Sequence, residues 1–247
     1  MALPRFFDES LSRALITGDH FELDGPEAHH ALRVLRLETG AKVIVFDGRG
    51  GEVICQVVSL QKRIVNLEVV ERTDSDRELK RGLHVIAAIP KGDRQKVLVD
   101  GLVQFGVTRL SPLKCERAVV VPKASVLDKL RRNVIEFSKQ CGRNVLMEVT
   151  EPISIGEAIA GTAQKEGWAR LVAHPYGEAS ALSSLSSDDF AGGTVVVGPE
   201  GGLVDAEVLE FRNSSWTQVT LGDRILRVEM AALNLAAWWS QRAEQSS

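Results

Sequence analysis

The sequence predicts an α/β protein in two parts, a small β-barrel-like module over residues 1–74 and a larger, mostly parallel sheet covered by helices over residues 83–247. Three observations predict it. Residues 41–70 form successive β-rich runs with no helical period between them. From Leu83 onward, apolar strand-like runs alternate with helical stretches, as strand–helix crossovers require. Between the two parts, residues 73–82 are almost wholly polar and charged, which makes 75–82 the expected linker.

In chain order, a short helix is expected first over 26–35, where Ala28, Leu32 and Leu35 recur at helical spacing. The strand over 41–46 ends in Asp47-Gly48-Arg49-Gly50-Gly51, a strong turn signal, and strands over 52–58 and 63–70 complete the module. Residues 83–89 are a continuous apolar run suited to a buried parallel strand. A helix over 93–105 carries Leu98, Leu102 and Phe105 on one face and stops at Gly106. A strand over 107–113 and a helix over 126–140 come next. Further strands read at 170–173, 194–197 and 217–221, with a helix over 203–211. The closing helix, 226–241, is apolar nearly all round (Leu226, Val228, Met230, Leu233, Leu235, Trp238, Trp239) and should be buried on most sides.

Composition narrows the function classes. Hydrophobic residues make up 44% and charged residues 26%, an ordinary globular balance. Cys55, Cys115 and Cys141 lack metal-ligand spacing and are odd in number, so free thiols are expected and neither a metal site nor a disulfide framework. The most apolar stretch, 226–239, contains Glu229 and Asn234 and is too short for a bilayer core of about 30 Å. No membrane contact and a cytoplasmic location are expected. The net charge of −3 hides a segregation: residues 1–74 carry −3, residues 75–150 carry +7 and residues 151–247 carry −7. A basic middle third is compatible with a nucleic-acid face.

Two loops carry the chemistry. Gly198-Pro199-Glu200-Gly201-Gly202 comes after a strand and precedes a helix, where ligands sit in open α/β sheets. Its glycines permit close backbone approach, and Glu200 offers a carboxylate to a ribose hydroxyl or a cation. A plain tight turn explains the glycines equally well. The loop has neither the Gly-Lys-Ser/Thr of a phosphate loop nor dinucleotide-fold spacing. Leu221-Gly222-Asp223-Arg224-Ile225-Leu226-Arg227-Val228-Glu229 also lies between a strand and a helix, so both loops can wall one pocket. Arg224 and Arg227 sit at a helix start, against the helix dipole.

Those two loops resemble the bacterial small-subunit (16S) ribosomal RNA uracil-N3 methyltransferase family, of the SPOUT class. The resemblance extends to His30-x-x-x-Val34-Leu35-Arg36, Phe46-Asp47-Gly48, Lys91-Gly92-Asp93-Arg94, Glu116-Arg117 and Gln140-Cys141-Gly142-Arg143-Asn144, in the family's order across nearly the whole chain. It implies a PUA-like RNA-binding barrel followed by a SPOUT-type parallel sheet with a C-terminal trefoil knot. It further implies S-adenosylmethionine as cofactor, ribosomal RNA within the small subunit as partner, and a homodimer.

The cofactor residues implied are Val197, Gly198, Glu200, Gly201, Gly202, Leu221, Gly222, Ile225, Leu226 and Arg227. Arg227 and Arg143 are candidates to stabilise a uracil anion, and Glu229 is a candidate proton acceptor whose alternative is pairing with Arg224 or Arg227. Arg5, His30, Arg33, Arg36, Arg94, Arg117 and Arg143 are candidates for RNA contact, mainly as phosphate-positioning groups; a half-buried structural histidine is the rival reading for His30. The chain departs from the family at Gly101 and Gln104, where Lys and Glu are usual, at Lys139 for Glu and at Met230 for Thr. These departures keep open a non-catalytic RNA-binding relative or a methyltransferase for another RNA uridine. Without its neighbours, the Gly-rich loop alone would also suit a nucleotide-using metabolic enzyme.

Overall fold

The computed structural model describes residues 3–73, 75–118, 121–163, 165–175, 180–185 and 190–245. The chain divides into two units, residues 1–78 with 135–146, and residues 79–134 with 147–247. The segment 135–146, which a linear division would give to the larger part, belongs to the smaller one.

In the first unit the strands are β1 (Arg5–Phe7), β2 (His20–Leu23), β3 (Lys42–Phe46), β4 (Glu52–Leu60) and β5 (Val65–Thr73). They form one sheet in the order β1-β3-β4-β5-β2, parallel only between β1 and β3. Irregular register between β4 and β5, at Ile54/Cys55 and Val57/Ser59, bends the pair as bulges do. Alternation sends Val43, Val45, Val53, Cys55, Val57, Val65, Leu67 and Val69 inward, and they pack with Phe6, Leu23, Ala28 and Ala31. The β3–β4 turn is held by Asp47, whose Oδ1 accepts the backbone N–H groups of Arg49 (2.7 Å) and Gly51 (2.8 Å). Burial alone would raise the Asp47 carboxyl, but Arg13 and these two amides outweigh it and hold the carboxyl below its ordinary range.

The helix expected over 26–35 is shorter. Helix α1 spans Gly25–His29 and then widens into a π-helical turn over His30–Val34, in which the Leu35 N–H reaches back to the His30 carbonyl (3.0 Å). Ala28 and Ala31 are buried, and the turn leaves Arg33, Val34, Leu35 and Arg36 exposed together.

The returning segment is fastened by polar contacts inside this unit. Lys139 Nζ binds Glu27 at 2.9 Å and Glu136 at 3.1 Å. Arg143 forks onto Glu78 at 2.5 Å, and the Asn144 side chain donates to the carbonyls of Gly50 (3.1 Å) and Ser75 (2.9 Å).

The second unit opens with β6 (Leu83–Ala87), α2 (Arg94–Gln104) and β7 (Arg109–Lys114). Helix α3 (Ala124–Cys141) begins in this unit and ends in the first. The second unit then continues with β8 (Glu148–Val149), β9 (Ile153–Ser154), α4 (Ile155–Ala163), β10 (Trp168–Ala173), β11 (Ser180–Ala181), β12 (Gly192–Val197), α5 (Asp205–Asn213), β13 (Thr217–Thr220) and α6 (Val228–Gln245). The sheet order is β11-β13-β10-β12-β6-β7-β8, with β9 beside β7, and every pairing is parallel. Strands β6 and β12 are buried almost throughout, as their continuous apolar runs require.

Helix α6 packs on α2, β6 and β12. The Trp239 ring lies where a Cβ at Gly193 would be, and its indole N–H donates to the Arg81 carbonyl at 2.8 Å. A Cβ at Gly101 would stand 2.3 Å from Leu233 Cδ2, so Leu233 fills the space that a side chain at 101 would need. Gln104 donates to Asp100 one turn earlier (2.7 Å), and Met230 faces outward, 51% exposed. Among the described residues no helix is long and apolar enough to cross a membrane, and Cys55, Cys115 and Cys141 are free thiols.

Gly101→Lys should force Leu233 aside and destabilise the protein by roughly 1–3 kcal/mol. In a double-mutant cycle, Leu233→Ala should recover about 1 kcal/mol of that, whereas additive unfolding energies would refute the packing account. A second expectation concerns acid. His84 Nε2 pairs with Ser111 Oγ (2.8 Å), and Ser111 Oγ in turn with Thr150 Oγ1 (2.7 Å). Burial, with like charge from Arg109 and Lys165, pushes the imidazole from 6.5 down to about 3. The unfolded chain therefore binds the extra proton, and the stability His84 contributes is full above 6.5 and lost as pH falls toward about 3. Urea unfolding of His84→Gln between pH 4 and 7 should show a shallower pH slope than the unaltered protein; equal slopes would contradict this.

Candidate functional site

All strands of the second unit run one way, so their carboxyl ends share one edge of the sheet. Register aligns four of them: Ala87 pairs with Val197, Val197 with Ala173, and Ala173 with Val219. Beyond the strands the ladder continues for one rung on each side, from the Ala88 N–H to the Val197 carbonyl and from the His174 N–H to the Val219 carbonyl (3.0 Å each). The segments 88–91, 174–175, 198–202 and 221–227 therefore all leave the sheet from one row.

There the chain forms a cleft of about 260 Å³. One wall is the 198–202 turn with Leu203 and Asp205, the other is Val219, Thr220, Leu221, Gly222, Arg224, Ile225 and Leu226, and His174 and Pro175 contribute from the end of β10. The two loops singled out in the sequence thus line one cavity. Of the ten residues expected to hold a cofactor, Val197, Gly198, Glu200, Gly201, Gly202, Leu221, Gly222, Ile225 and Leu226 line it. Arg227 is exposed and stands near enough to lower the Glu200 carboxyl, without being a lining residue. Three glycines of the walls are required by shape, Gly202 at φ +72° among them. Gly222 has φ +100°, and at Gly198 a Cβ would meet Leu203 Cγ at 3.0 Å and the Leu203 backbone nitrogen at 3.3 Å.

Two arginines brace the 198–202 turn. Arg117, from the turn after β7, donates to the Gly201 carbonyl at 2.8 Å and lines the cleft. Arg94, at the start of α2, donates to Glu200 at 2.5 Å. The Glu207 carboxylate accepts the Val204 N–H at the start of α5 (2.9 Å) and the Glu116 N–H (2.8 Å), tying the turn after β7 to the same helix. Glu200 is held below its ordinary carboxylate range chiefly by its own backbone N–H, then by Arg94 and Arg227 against the opposing effect of burial. Glu229, in the first turn of α6, is only 4% exposed. Its Oε2 lies 3.8 Å from Arg94 and has no hydrogen-bond partner among the described residues. The nearby His174 imidazole is lowered by burial, against the opposing pull of Asp205.

The remaining candidates lie in the first unit. Arg5 is buried, ion-paired to Glu52 at 2.7 Å and stacked over the Phe46 ring at 5.0 Å. Arg143 is 4% exposed with its guanidinium on Glu78. His30 is half-buried, edge-on to Phe6 at 6.1 Å. Arg33 and Arg36 are exposed, Arg36 at φ +50°. His174, Leu203, Asp205 and Val219 were not singled out from the sequence because no motif marks them. The strand-end rule for parallel sheets was the signal that could have found His174. Among the described residues no group of three or more His, Cys, Asp or Glu is placed to hold a metal.

Fold and cleft together define an α/β protein whose cleft opens at the carboxyl edge of a parallel sheet. A family model described as an RNA methyltransferase domain matches residues 77–240, and one described as an RNA methyltransferase PUA domain matches residues 23–70. The chain belongs to the RNA methyltransferase family. It is 28% identical over 242 residues to ribosomal RNA small subunit methyltransferase E of Bacillus subtilis, covering 94% of this chain and 93% of that one. It is 29% identical to the solved Neisseria gonorrhoeae ribosomal RNA small subunit methyltransferase E bound to S-adenosyl methionine, with a TM-score of 0.85 over 96% of each chain. A Legionella pneumophila structure holding S-adenosylmethionine shares the fold at a TM-score of 0.88 and 23% identity, over 98% of each chain.

Gly198→Ala should push Leu203 and the backbone after it into the cleft. Calorimetry with S-adenosylhomocysteine is expected to show at least a tenfold loss of affinity, about 1.4 kcal/mol; unchanged affinity would take the 198–202 turn out of the ligand site.

Proposed function

We propose that this protein transfers a methyl group from S-adenosylmethionine to N3 of a uracil in the 16S RNA of the small ribosomal subunit. The observation that carries this reading is the meeting of the 198–202 and 221–226 turns around one cleft. The relatives' names and the bound cofactor of the Neisseria protein support the choice of donor and of RNA. The residues present fit such a donor. Leu203, Val219, Leu221, Ile225 and Leu226 offer apolar walls to an adenine, Gly198 and Gly222 keep the walls free of side chains, and Glu200 and Asp205 offer carboxylates to hydroxyls and a cationic centre.

When bound, the cofactor supplies a methyl group activated by its sulfonium. The new N3–CH3 bond forms as the S–CH3 bond breaks, and the N3 proton must go to a base. The chain's task is therefore to hold the base unstacked, in line with the methyl, and to favour its anion. Arg227, beside the cofactor cleft, is assigned the developing charge on the uracil oxygens. Glu229 is assigned the proton, because its Oε2 has no hydrogen-bond partner among the described residues, whereas an amide and two arginines engage the Glu200 carboxylate. Arg143 keeps the assignment to RNA only as a candidate, since Glu78 already occupies its guanidinium.

The same reading includes a homodimer, a cytoplasmic setting, a trefoil knot over the last loops, and RNA held by exposed Arg33 and Arg36 of the PUA domain. The departures at Gly101, Gln104 and Lys139 do not favour an inactive relative, for each has a local partner, respectively Leu233, Asp100 and Glu27.

Arg227→Ala should lower methyl transfer to small ribosomal subunits by about a hundredfold or more while leaving S-adenosylhomocysteine affinity within about threefold. Parallel loss of both would give Arg227 a role in shaping the cleft instead. Cofactor binding by the unaltered protein without transfer to any subunit uridine, read by mass spectrometry of the RNA, would overturn the proposed activity.

A further inference from the structure

A second cleft, of about 290 Å³, lies directly beside the first and shares Pro199 and Glu200 with it. Its other walls are the segment after β6, Ala88-Ile89-Pro90-Lys91, then Arg94 and Ala118. We infer that this second cleft seats the acceptor nucleotide, its base against Ile89, Pro90, Ala118 and Pro199 and its phosphate at Lys91. This inference rests on the proposed methyl transfer and adds where the acceptor sits.

Three features of the cleft point to a nucleotide. Its volume of about 290 Å³ falls just short of the roughly 300 Å³ at which small-molecule sites begin, room for one base and not for a polymer. Two prolines, an isoleucine and an alanine make an apolar floor on which a flat ring can lie without leaving a polar group unpaired. The charged rim carries two cations, Lys91 and Arg94, against one carboxylate, Glu200, which Arg94 already pairs. Lys91 is exposed and has no ion pair among the described residues, so its ammonium is available to a phosphate as a point charge.

The wall between the clefts supplies the reason for placing the acceptor here. Glu200 faces both cavities, and Arg94 stands behind it with its guanidinium 2.5 Å from Glu200 and 3.8 Å from the buried Glu229 Oε2, which has no hydrogen bond among the described residues. The two clefts meet along Pro199 and Glu200, so a base seated against Pro199 can present its N3 edge to the cofactor cleft once the Glu200 side chain is drawn aside, with Arg227 near Glu200. Such a base also lies beside Arg94, which the sequence suggested for phosphate and the structure engages with carboxylates. Arg94 is in this sense a positioning residue: it holds the Glu200 side chain that lies where the two clefts meet.

Two measurements on the full-length protein test the inference. With S-adenosylhomocysteine bound, irradiation in the presence of 4-thiouridine 5′-monophosphate should label a peptide containing residues 88–94 or 118. Labelling only elsewhere, or none, overturns it. In steady-state transfer to small ribosomal subunits, Ala118→Trp, which fills the second cleft alone, and Lys91→Ala should each raise KM for the subunit by about tenfold with S-adenosylhomocysteine affinity within about twofold. Unchanged KM in both variants, or loss of cofactor affinity in either, overturns it as well. Failure of the proposed methyl transfer would look different, since the unaltered protein would then bind cofactor or label at the second cleft without modifying any uridine.

Discussion

The parallel register across β6, β12, β10 and β13 is the constraint on which the site depends. Antiparallel neighbours would put alternate loops at opposite edges, and two glycine turns separated by some twenty residues of chain could not face each other. Parallel pairing with Ala87, Val197, Ala173 and Val219 in one row leaves them no other place. The burial of Gly192 and Gly193 serves the same end. The Trp168 and Trp239 rings lie where their side chains would be, so β12 can run through the middle of the sheet with helix α6 close against it. Helix α6 then begins beneath the cleft, and its first turn delivers Val228 to the cavity wall and Glu229 to the neighbourhood of Arg94.

The same logic of satisfied partners explains the places where this chain departs from the family it resembles. A glycine at 101 looks like a lost cation until Leu233 is seen to fill the space, and Gln104 forms a hydrogen bond within its own helix. Lys139 reverses the expected sign, but its ammonium is nearly buried between Glu27 and Glu136, and removing one partner of such a pair leaves a charge without compensation. These substitutions therefore form a consistent set in which charge has been moved, not left unpaired. None of them lies in the walls of either cleft.

Much of this was legible in the sequence, and the limits of legibility have physical causes. Period and apolar content located every strand and helix from Leu83 to Ala87 and from Arg94 to Lys114, because a strand buried on both faces and an amphipathic helix leave different patterns. The edge strands β1 and β2, three and four residues long, did not register, since so short a run carries too little alternation to be told from loop. Helix α4, Ile155–Ala163, is rich in alanine and glycine and lacks the leucine stripe on which a reading by period depends. The return of 135–146 to the first unit was invisible for another reason: it rests on Lys139, Arg143 and Asn144 finding partners more than sixty residues away, and spacing says nothing about such pairs. In the site, glycine and charge marked the two turns correctly as neighbours. The apolar lining of Leu203 and Val219 could not be distinguished from core, because a cleft wall and a core face have the same composition.

Arg94 and Arg117, read from the sequence as candidates for RNA contact, have structural partners that the sequence did not show. Both belong to short basic motifs, and phosphate is the natural partner for an arginine on a basic stretch. In the structure each is committed to the 198–202 turn, Arg94 through a carboxylate and Arg117 through a backbone carbonyl. A guanidinium has five donors in a rigid fork, so holding one acceptor does not exhaust it. Arg117 lines the first cleft and Arg94 the second, so the donors that remain on each stand at the cleft walls. Binding of RNA at these arginines would then pull on the turn that lines the cofactor cleft, and a cofactor pressing on Glu200 would reset Arg94. Coupling of that kind is reciprocal by thermodynamic necessity, so whatever affinity the cofactor adds for RNA, RNA must add for the cofactor. Under the proposed function, the bracing of one glycine turn by two arginines from separate elements would couple a donor and an acceptor that meet only at the transferred methyl.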